Sequence, residues 1–206
     1  IGRAPQGSAG GDFVDAPGST TIFGAAKITG KTPGGWTFNL IDAVTSRERA
    51  DVANGTTRSR AETEPLTNYL AARASRAIGQ RASVGVLATL VNRDLQTDGF
   101  RDGLVDQAWV VGVDGHTFLN SGRDYVVTGA ISASRVSGSA AAISRLERAS
   151  ARYYQRPDAT HLTLDPTAQA LTGWNLQADF TRNTGGVRPS ASFWAVSAAG
   201  GRPRLL

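Results

Sequence analysis

Residues 172–181 show the clearest alternation of apolar and polar side chains in the chain, and this alternation limits the possible folds more than any other feature of the sequence. The apolar positions are Trp174, Leu176, Ala178 and Phe180. The polar positions are Asn175, Gln177, Asp179 and Thr181. A period of two places the two sets on opposite faces of a β-strand. One apolar and one polar face indicate a sheet that meets water on one side only.

Most of the chain divides into strand-length segments that are separated by turn residues. The predicted strands are residues 19–29, 36–45, 50–60, 66–78, 82–93, 105–115, 125–136, 160–164, 171–181 and 190–197. Tight turns are predicted at Pro33-Gly34-Gly35 and at Gly79-Gln80-Arg81, with a further turn dipeptide at Asn54-Gly55. Residues 1–18 and 94–103 are interpreted as loops, because glycine, proline and aspartate are frequent in them.

One segment has the character of a helix. Residues 139–151 contain no glycine or proline and are rich in alanine, which predicts a helix near these positions. Ile143 and Leu146 fall on one face of it, and Ser137 or Ser139 is expected to cap its start. The sequence therefore predicts an all-β fold with one helix. Long antiparallel hairpins in meander order form an open or partly curled, barrel-like sheet.

Strand length separates a membrane barrel from a soluble sandwich. Several predicted strands exceed the ~5–6 residues that are usual in globular proteins, whereas a strand that crosses an outer membrane needs about 9–11 residues. Tryptophans also lie within or near the ends of strands, at Trp36, Trp109, Trp174 and Trp194. They fit aromatic girdles at a membrane interface and fit ordinary core positions equally well.

Composition and motif spacing exclude several kinds of function. The chain has no cysteine, so disulfides, thiolate catalysis and cysteine-bound zinc are excluded, and no apolar run approaches the ~18 residues of a membrane-spanning helix. Its formal charge is +5, but the arginines are spread along the chain, so nucleic acid is not an expected partner. With only His116 and His161 as histidines, no metal or other cofactor is expected. Residues 24–32 resemble a phosphate-binding loop, but five residues separate Gly24 from the Gly30-Lys31 pair where such a loop has four. Nucleotide binding is therefore not expected.

A few polar residues are candidates for a ligand site, although none is assigned a catalytic role. Asp42 interrupts an apolar stretch, and an unpaired carboxylate is costly to bury, so it must face water, a polar lumen or an arginine. Residues 152–158 are the densest polar and aromatic cluster, which suits a sugar or anion site and equally suits a helix end that docks on a sheet. Charge pairing between strands inside a wet barrel is the competing structural interpretation. The candidates are Asp42, Glu64, Arg93, Tyr154, Arg156 and Asp158.

Six segments taken together resemble the DUF5916 family, whose members are often described as carbohydrate-binding family 9 domain-containing proteins. They are IGRAPQG at residues 1–7, TIFGAAKITGK at 21–31, DAVT at 42–45, EPLTNY at 64–69, VNR at 91–93 and YQRPD at 154–158. The resemblance extends to about Val196. It implies an N-terminal β-sandwich of sugar-binding type and, after it, an outer-membrane-like β-barrel of which this chain is an early part.

The resemblance also divides the chain. Residues 1–18 are expected to lead into the sheet, and residues 19–197 to form part of the barrel-like domain. Residues 198–206 read AAGGRPRLL, where the family usually continues with a segment like SPGFE, so this tail is expected to be frameshifted or truncated.

The expected function is that of a segment of a bacterial outer-membrane β-barrel protein with a carbohydrate-linked role in the cell envelope, by binding or by passage through a polar lumen. Expected partners are outer-membrane lipid, carbohydrate and the β-sandwich domain of the same protein. Two alternatives stay open: an envelope hydrolase that uses acidic residues such as Asp42 and Glu64, and a soluble all-β binding module. A barrel places Trp174, Leu176 and Phe180 outside, whereas a soluble module directs them into a closed core.

Overall fold

The protein is an all-β chain in a computed structural model that describes residues 3–150, 152, 154–155, 163–198 and 202–203. The strands are β1 (Phe13–Asp15), β2 (Ile22–Lys31), β3 (Trp36–Thr45), β4 (Glu48–Asn54), β5 (Thr57–Glu64), β6 (Leu66–Ile78), β7 (Ala82–Asp94), β8 (Gln107–Phe118), β9 (Tyr125–Ser137), β10 (Ala170–Arg182), β11 (Ser190–Ala198) and β12 (Arg202–Pro203). The helices are α1 (Asp98–Gly103) and α2 (Ala140–Arg148). Neither described helix is long and apolar enough to cross a membrane.

Nine of the strands form one antiparallel meander sheet in the order β12-β11-β10-β9-β8-β7-β6-β3-β2. The other three form a small sheet in the order β1-β4-β5, in which β4 and β5 come from the connection between β3 and β6, and β1 from the segment before β2. The large sheet is open, because β2 and β12 stand at its two edges. The predicted fold class, an open antiparallel meander, is therefore confirmed.

The alternation and the turn residues located most strands correctly. β3 and β6 occupy the predicted ranges 36–45 and 66–78. Gly35 and Gly79 have φ of +81° and +59°, a conformation that costs glycine little and other residues much, so both predicted hairpin turns are confirmed.

Three segments differ from their predicted structure. Residues 50–60 are not one strand. They belong to β4 and β5, which are joined by a turn after Asn54 that contains Gly55, whose φ is +57°. Residues 98–103, predicted as loop, form α1, because Phe100 is buried and holds this turn against its neighbours. In the predicted strand 160–164, residues 163 and 164 are not in a strand, and 160–162 lie outside the described residues.

The predicted helix is confirmed, although it is shorter than expected. It begins after Ser139, whose side chain accepts a hydrogen bond from the backbone N–H of Ala142 at 3.1 Å. This is the usual way in which a serine caps a helix. Ile143 and Leu146 pack, as their spacing predicted, into a core with Tyr154 and Leu171.

The two ends of the large sheet differ in their connections. At one end, here called the short-turn end, the connections are residues 32–35, 79–81, 119–124 and 183–189. At the other, the long-connection end, they include residues 46–65, 95–106 and 138–169, which carry β4, β5 and both helices. The buried core around Ile143 also lies at the long-connection end, so the middle of the large sheet is left uncovered.

Candidate functional site

One face of the large sheet is apolar across all its long strands. Residues that pair directly across antiparallel strands point to the same face, so the register assigns each side chain to a face. One row across seven strands consists of Phe38, Ala74, Val86, Val113, Ile131, Leu176 and Ala195. The same register places Trp174, Leu176 and Phe180 on this face, here called the apolar face.

The apolar face is not covered by any described part of the chain. The exposed fractions are 45% for Val86, 44% for Val113 and 53% for Ile131. Side chains of this size are usually among the most buried in a folded protein. A continuous exposed apolar surface on this scale marks contact with another apolar phase or partner.

Polar residues bound the apolar face at both ends. At the long-connection end, Asn68, Asn92 and Gln107 share one row. At the short-turn end, Arg76 lies 5.6 Å from the ring centre of Trp36. The nine residues of β6 from Asn68 to Arg76 span about 26 Å at ~3.3 Å per residue, and about 9–11 residues suffice for a strand that crosses a membrane.

Aromatic residues of the apolar face lie on both sides of the row that contains Ile131, and Phe38 lies in that row. Trp109 is near the long-connection end, where β8 begins, and Trp174 lies on the same side of that row, one row away from it. Trp36 and Phe180 are near the short-turn end. Trp194 differs from the other tryptophans, because it pairs with Gln177 on the opposite face.

The opposite face of the sheet, here called the polar face, carries hydrogen-bonding side chains. One row across five strands consists of Ser83, His116, Thr128, Asp179 and Ser192. Several of these groups bond to one another: Ser83 Oγ lies 2.9 Å from His116 Nδ1, and Gln177 donates to Asp179 at 2.9 Å. This face therefore suits contact with water or with a polar solute.

An ion pair that spans an intervening strand lies in the middle of the polar face. The guanidinium of Arg73 on β6 donates two hydrogen bonds of 2.7 Å to the carboxylate of Asp114 on β8. Gly85 on β7 lies beneath them, where a Cβ would come within 2.9 Å of Arg73 Nη2. The sequence analysis missed this pair, although a glycine between Val84 and Val86 is a signal of close approach within a strand.

Two of the predicted site residues, Glu64 and Arg93, come together at the long-connection end. Glu64 is 1% exposed and accepts hydrogen bonds from the backbone N–H of Gln6 at 2.7 Å and from Arg3 at 3.4 Å. Burial is the main cause that lowers the pKa of Arg93; the charges of Tyr69 and Glu64 oppose it and that of Arg3 adds to it. Arg93 donates to the carbonyl of Val105 at 3.0 Å. We call Arg3, Gln6, Glu64 and Arg93 the end cluster. It ties the N-terminal segment to the sheet.

The other predicted residues do not join the end cluster. Asp42 is on the apolar face beside its polar edge, where Asn68 donates to its carboxylate at 2.8 Å. Tyr154 is buried in the core around Ile143. Arg156 and Asp158 lie outside the described residues. Asp42 and Glu64 thus do not form a pair of carboxylates at one site.

A polar cleft of about 520 Å³ lies beside the end cluster. Its walls come from the N-terminal segment, α1 and α2, with Gln6, Glu62, Phe100 and Arg145 among the lining residues. Glu62 is already paired, since Arg47 donates to its carboxylate at 2.6 Å. In the described part of the chain, no group of three or more potential ligand side chains is placed to hold a metal ion.

Glu147 on α2 is a buried carboxyl group with few partners. It is 2% exposed, and its one hydrogen bond from another described residue, the backbone N–H of Asp165, is long at 3.4 Å. Burial is the main cause that raises the pKa of Glu147, and the negative charge of Asp165 adds to it, while that hydrogen bond and Arg148 oppose it. The folded state therefore favours the protonated form of this group.

The substitution Glu147→Gln is expected to stabilise α2 at neutral pH. A folded pKa above the unfolded one makes the stability contribution of Glu147 largest below the ordinary glutamate range, and this contribution is lost as the pH rises through the raised pKa. The gain from Glu147→Gln should therefore shrink as the pH falls through that window. The stability of α2 is measured by hydrogen exchange of the Ile143 amide, which donates to the Ser139 carbonyl at 3.0 Å.

The control for this experiment is Asp124→Asn at the short-turn end. Hydrogen bonds from Thr184 and Asn120 lower the pKa of Asp124, so its contribution is present at neutral pH and is lost as the pH falls. Asp124→Asn should therefore destabilise its turn at neutral pH. A gain from Glu147→Gln that does not change with pH would contradict the assignment.

Comparison with known proteins gives a match to one family. The family model described as a domain of unknown function, DUF5916, matches residues 1–197. No curated protein and no solved structure matches the chain. The matched range runs from the N-terminal segment into β11 and so includes most of both faces of the large sheet.

Proposed function

Since the chain belongs to the DUF5916 family, we propose that it is a segment of a bacterial outer-membrane β-barrel protein. Its apolar face contacts lipid, and its polar face lines a water-filled lumen. Its role in the cell envelope is linked to carbohydrate, by binding or by passage through the lumen. This role needs no covalent chemistry.

The uncovered apolar face is the observation that carries the proposal. A strand that faces lipid on one side and a lumen on the other alternates apolar and polar residues, and aromatic girdles flank its apolar band. The alternation supports the proposal, and so does the presence of aromatic residues on both sides of the row that contains Ile131, with Trp109 and Trp174 on one side and Trp36 and Phe180 on the other. In water, the same surface would favour aggregation.

The asymmetry of the connections supports an orientation for the barrel. Outer-membrane barrels have short turns on the periplasmic side and longer loops on the outside. By this rule, residues 46–65, 95–106 and 138–169 face the exterior. The end cluster and the polar cleft then lie at the outer mouth of the lumen.

The chemistry of the polar face supports a polar solute. Hydroxyl, amide and imidazole groups are present on it: Ser83 bonds to His116, and Gln177 donates to Asp179. The same groups match the alternating donors and acceptors of sugar hydroxyls. The carbohydrate link itself rests on the family resemblance.

Two adjacent cysteine substitutions test the assignment of the two faces. The chain contains no cysteine, so Ile131→Cys and Ser132→Cys each introduce a single thiol in the same part of β9. We expect a fluorophore at position 131 to be quenched by nitroxide-labelled lipid, since Ile131 is on the apolar face. A thiol at position 132 should instead react with a water-soluble maleimide.

Each outcome of the labelling experiment distinguishes the barrel from its alternatives. The measurement uses the protein in membranes, and the two variants control for each other because they differ by one position. Lipid quenching at position 131 alone supports the barrel. Protection of both positions from lipid and from maleimide would indicate a closed soluble core and would contradict the proposal.

A further inference from the structure

The Arg73–Asp114 pair is a charged group on the polar face that is open to solvent. The side chains are 41% and 40% exposed, so a solute in the proposed lumen could touch both. The two short hydrogen bonds hold the charges at a fixed position over Gly85. A charge fixed in this way acts on passing ions without first having to be ordered.

Within the two rows of the polar face that hold the pair, the other residues on β6 to β10 are uncharged. Arg73 and Asp114 belong to two adjacent rows of the polar face. The other members of these rows on β6 to β10 are Ser75, Gly85, Leu87, Gly112, Ala130, Ser132, Asn175 and Gln177. On β6 to β10 these two rows carry no net charge because the two ions balance. The nearest other charges in the register are Lys31 on β2, in the row of Asp114, and Asp179 on β10, one row away.

We propose that the Arg73–Asp114 pair sets the charge selectivity of the lumen, an inference that rests on the proposed function. Because the two charges cancel, this part of the lumen favours uncharged polar solutes, such as neutral saccharides, over ions of either sign. Ion selectivity in pores is commonly set by charged side chains that line them. A wall of low dielectric constant strengthens the effect of each charge.

Neutralising either partner should make the lumen selective for ions of one sign. Arg73→Gln leaves the charge of Asp114 uncompensated and should raise the ratio of cation to anion permeability, by about two- to fivefold for a unit charge near an ion in water. Asp114→Asn should lower the same ratio by a similar factor. The reversal potential of the full-length protein in a planar bilayer under a potassium chloride gradient measures both.

The double variant separates a charge effect from structural damage. Arg73→Gln with Asp114→Asn removes both charges and should return the reversal potential to that of the unmodified protein. Structural damage would instead add up or persist in the double variant. Equal reversal potentials for all three variants and the unmodified protein would overturn the inference.

A second ion pair in the same chain provides the matched control. Arg60 and Asp51 also pair between strands, at 2.8 Å, but they lie on the small sheet and are 71% and 65% exposed. Arg60→Gln and Asp51→Asn should leave the reversal potential unchanged. If the protein inserts into the bilayer without any current, this inference is overturned but the membrane placement is not. If lipid does not quench the fluorophore at position 131, the proposed function itself is overturned.

Discussion

Glu64→Ala is expected to release the N-terminal segment and to destabilise the long-connection end by about 2–4 kcal/mol. The carboxylate is 1% exposed and accepts hydrogen bonds from Gln6 and Arg3. Alanine would leave the backbone N–H of Gln6 without its acceptor and would remove the negative charge near Arg93. Removing one partner of a buried ionic group costs more than the pair contributes, because the remaining group stays desolvated.

Hydrogen exchange measures the effect of Glu64→Ala where it arises. The amides of Gln6 and Gly7 bond to Glu64 at 2.7 Å and to the carbonyl of Thr63 at 2.8 Å. A cost of about 2–4 kcal/mol corresponds to a loss of protection of roughly 30- to 1,000-fold, since 1.36 kcal/mol is a factor of ten.

Glu48→Ala is the control for this substitution. Glu48 pairs with Glu64 in the register of the small sheet, and its carboxylate accepts one hydrogen bond, from the backbone N–H of Thr21 at 2.7 Å. Because that bond is exposed, its loss should cost about 1 kcal/mol or less. Equal losses of protection for the two variants would mean that burial of Glu64 does not hold the segment.

Ile131→Arg should destabilise the membrane-inserted protein by about 2–4 kcal/mol, the cost of an arginine on the lipid face near the bilayer midplane. Ile131 lies between Val113 and Leu176 in the central row of the apolar face. Ser132→Arg, one residue further on, places the same side chain on the polar face, where water solvates it. This second variant should be close to neutral.

Urea unfolding of the protein in lipid vesicles compares the two arginine variants. Their difference cancels the effects of arginine on strand propensity, because both are in β9. Equal destabilisation, or greater destabilisation by Ser132→Arg, would contradict the assignment of lipid to the apolar face.

The strands could be predicted because their local pattern and their tertiary environment agree. Residues 66–78 and 171–181 form strands, and the register gives each strand a more apolar face and a more polar face. Glycines at turns, such as Gly79, supplied the boundaries because their backbone conformation excludes most other residues. α1 was missed because its helical turn is held by the burial of Phe100, a contact that no local pattern reveals.

The candidate site was only partly predictable for a related reason. Glu64 and Arg93 were selected individually, and the fold brings them into one cluster. Asp42 was expected to face water, a polar lumen or an arginine. In the structure, Asn68 on the neighbouring strand β6 donates a hydrogen bond to its carboxylate. The Arg73–Asp114 pair joins residues that are 41 positions apart, so it becomes visible only when the register of three strands is known.

The sequence by itself determined that this chain forms long antiparallel strands with one apolar and one polar face, because alternation and turn chemistry act over a few residues. The tertiary structure alone decided which side chains share a row, which charges cancel and which surface stays uncovered. These properties depend on register between strands that are distant in sequence, and a shift of one residue would move every side chain to the other face. The proposed lumen, with its ion pair over Gly85, is therefore a property of the assembled sheet.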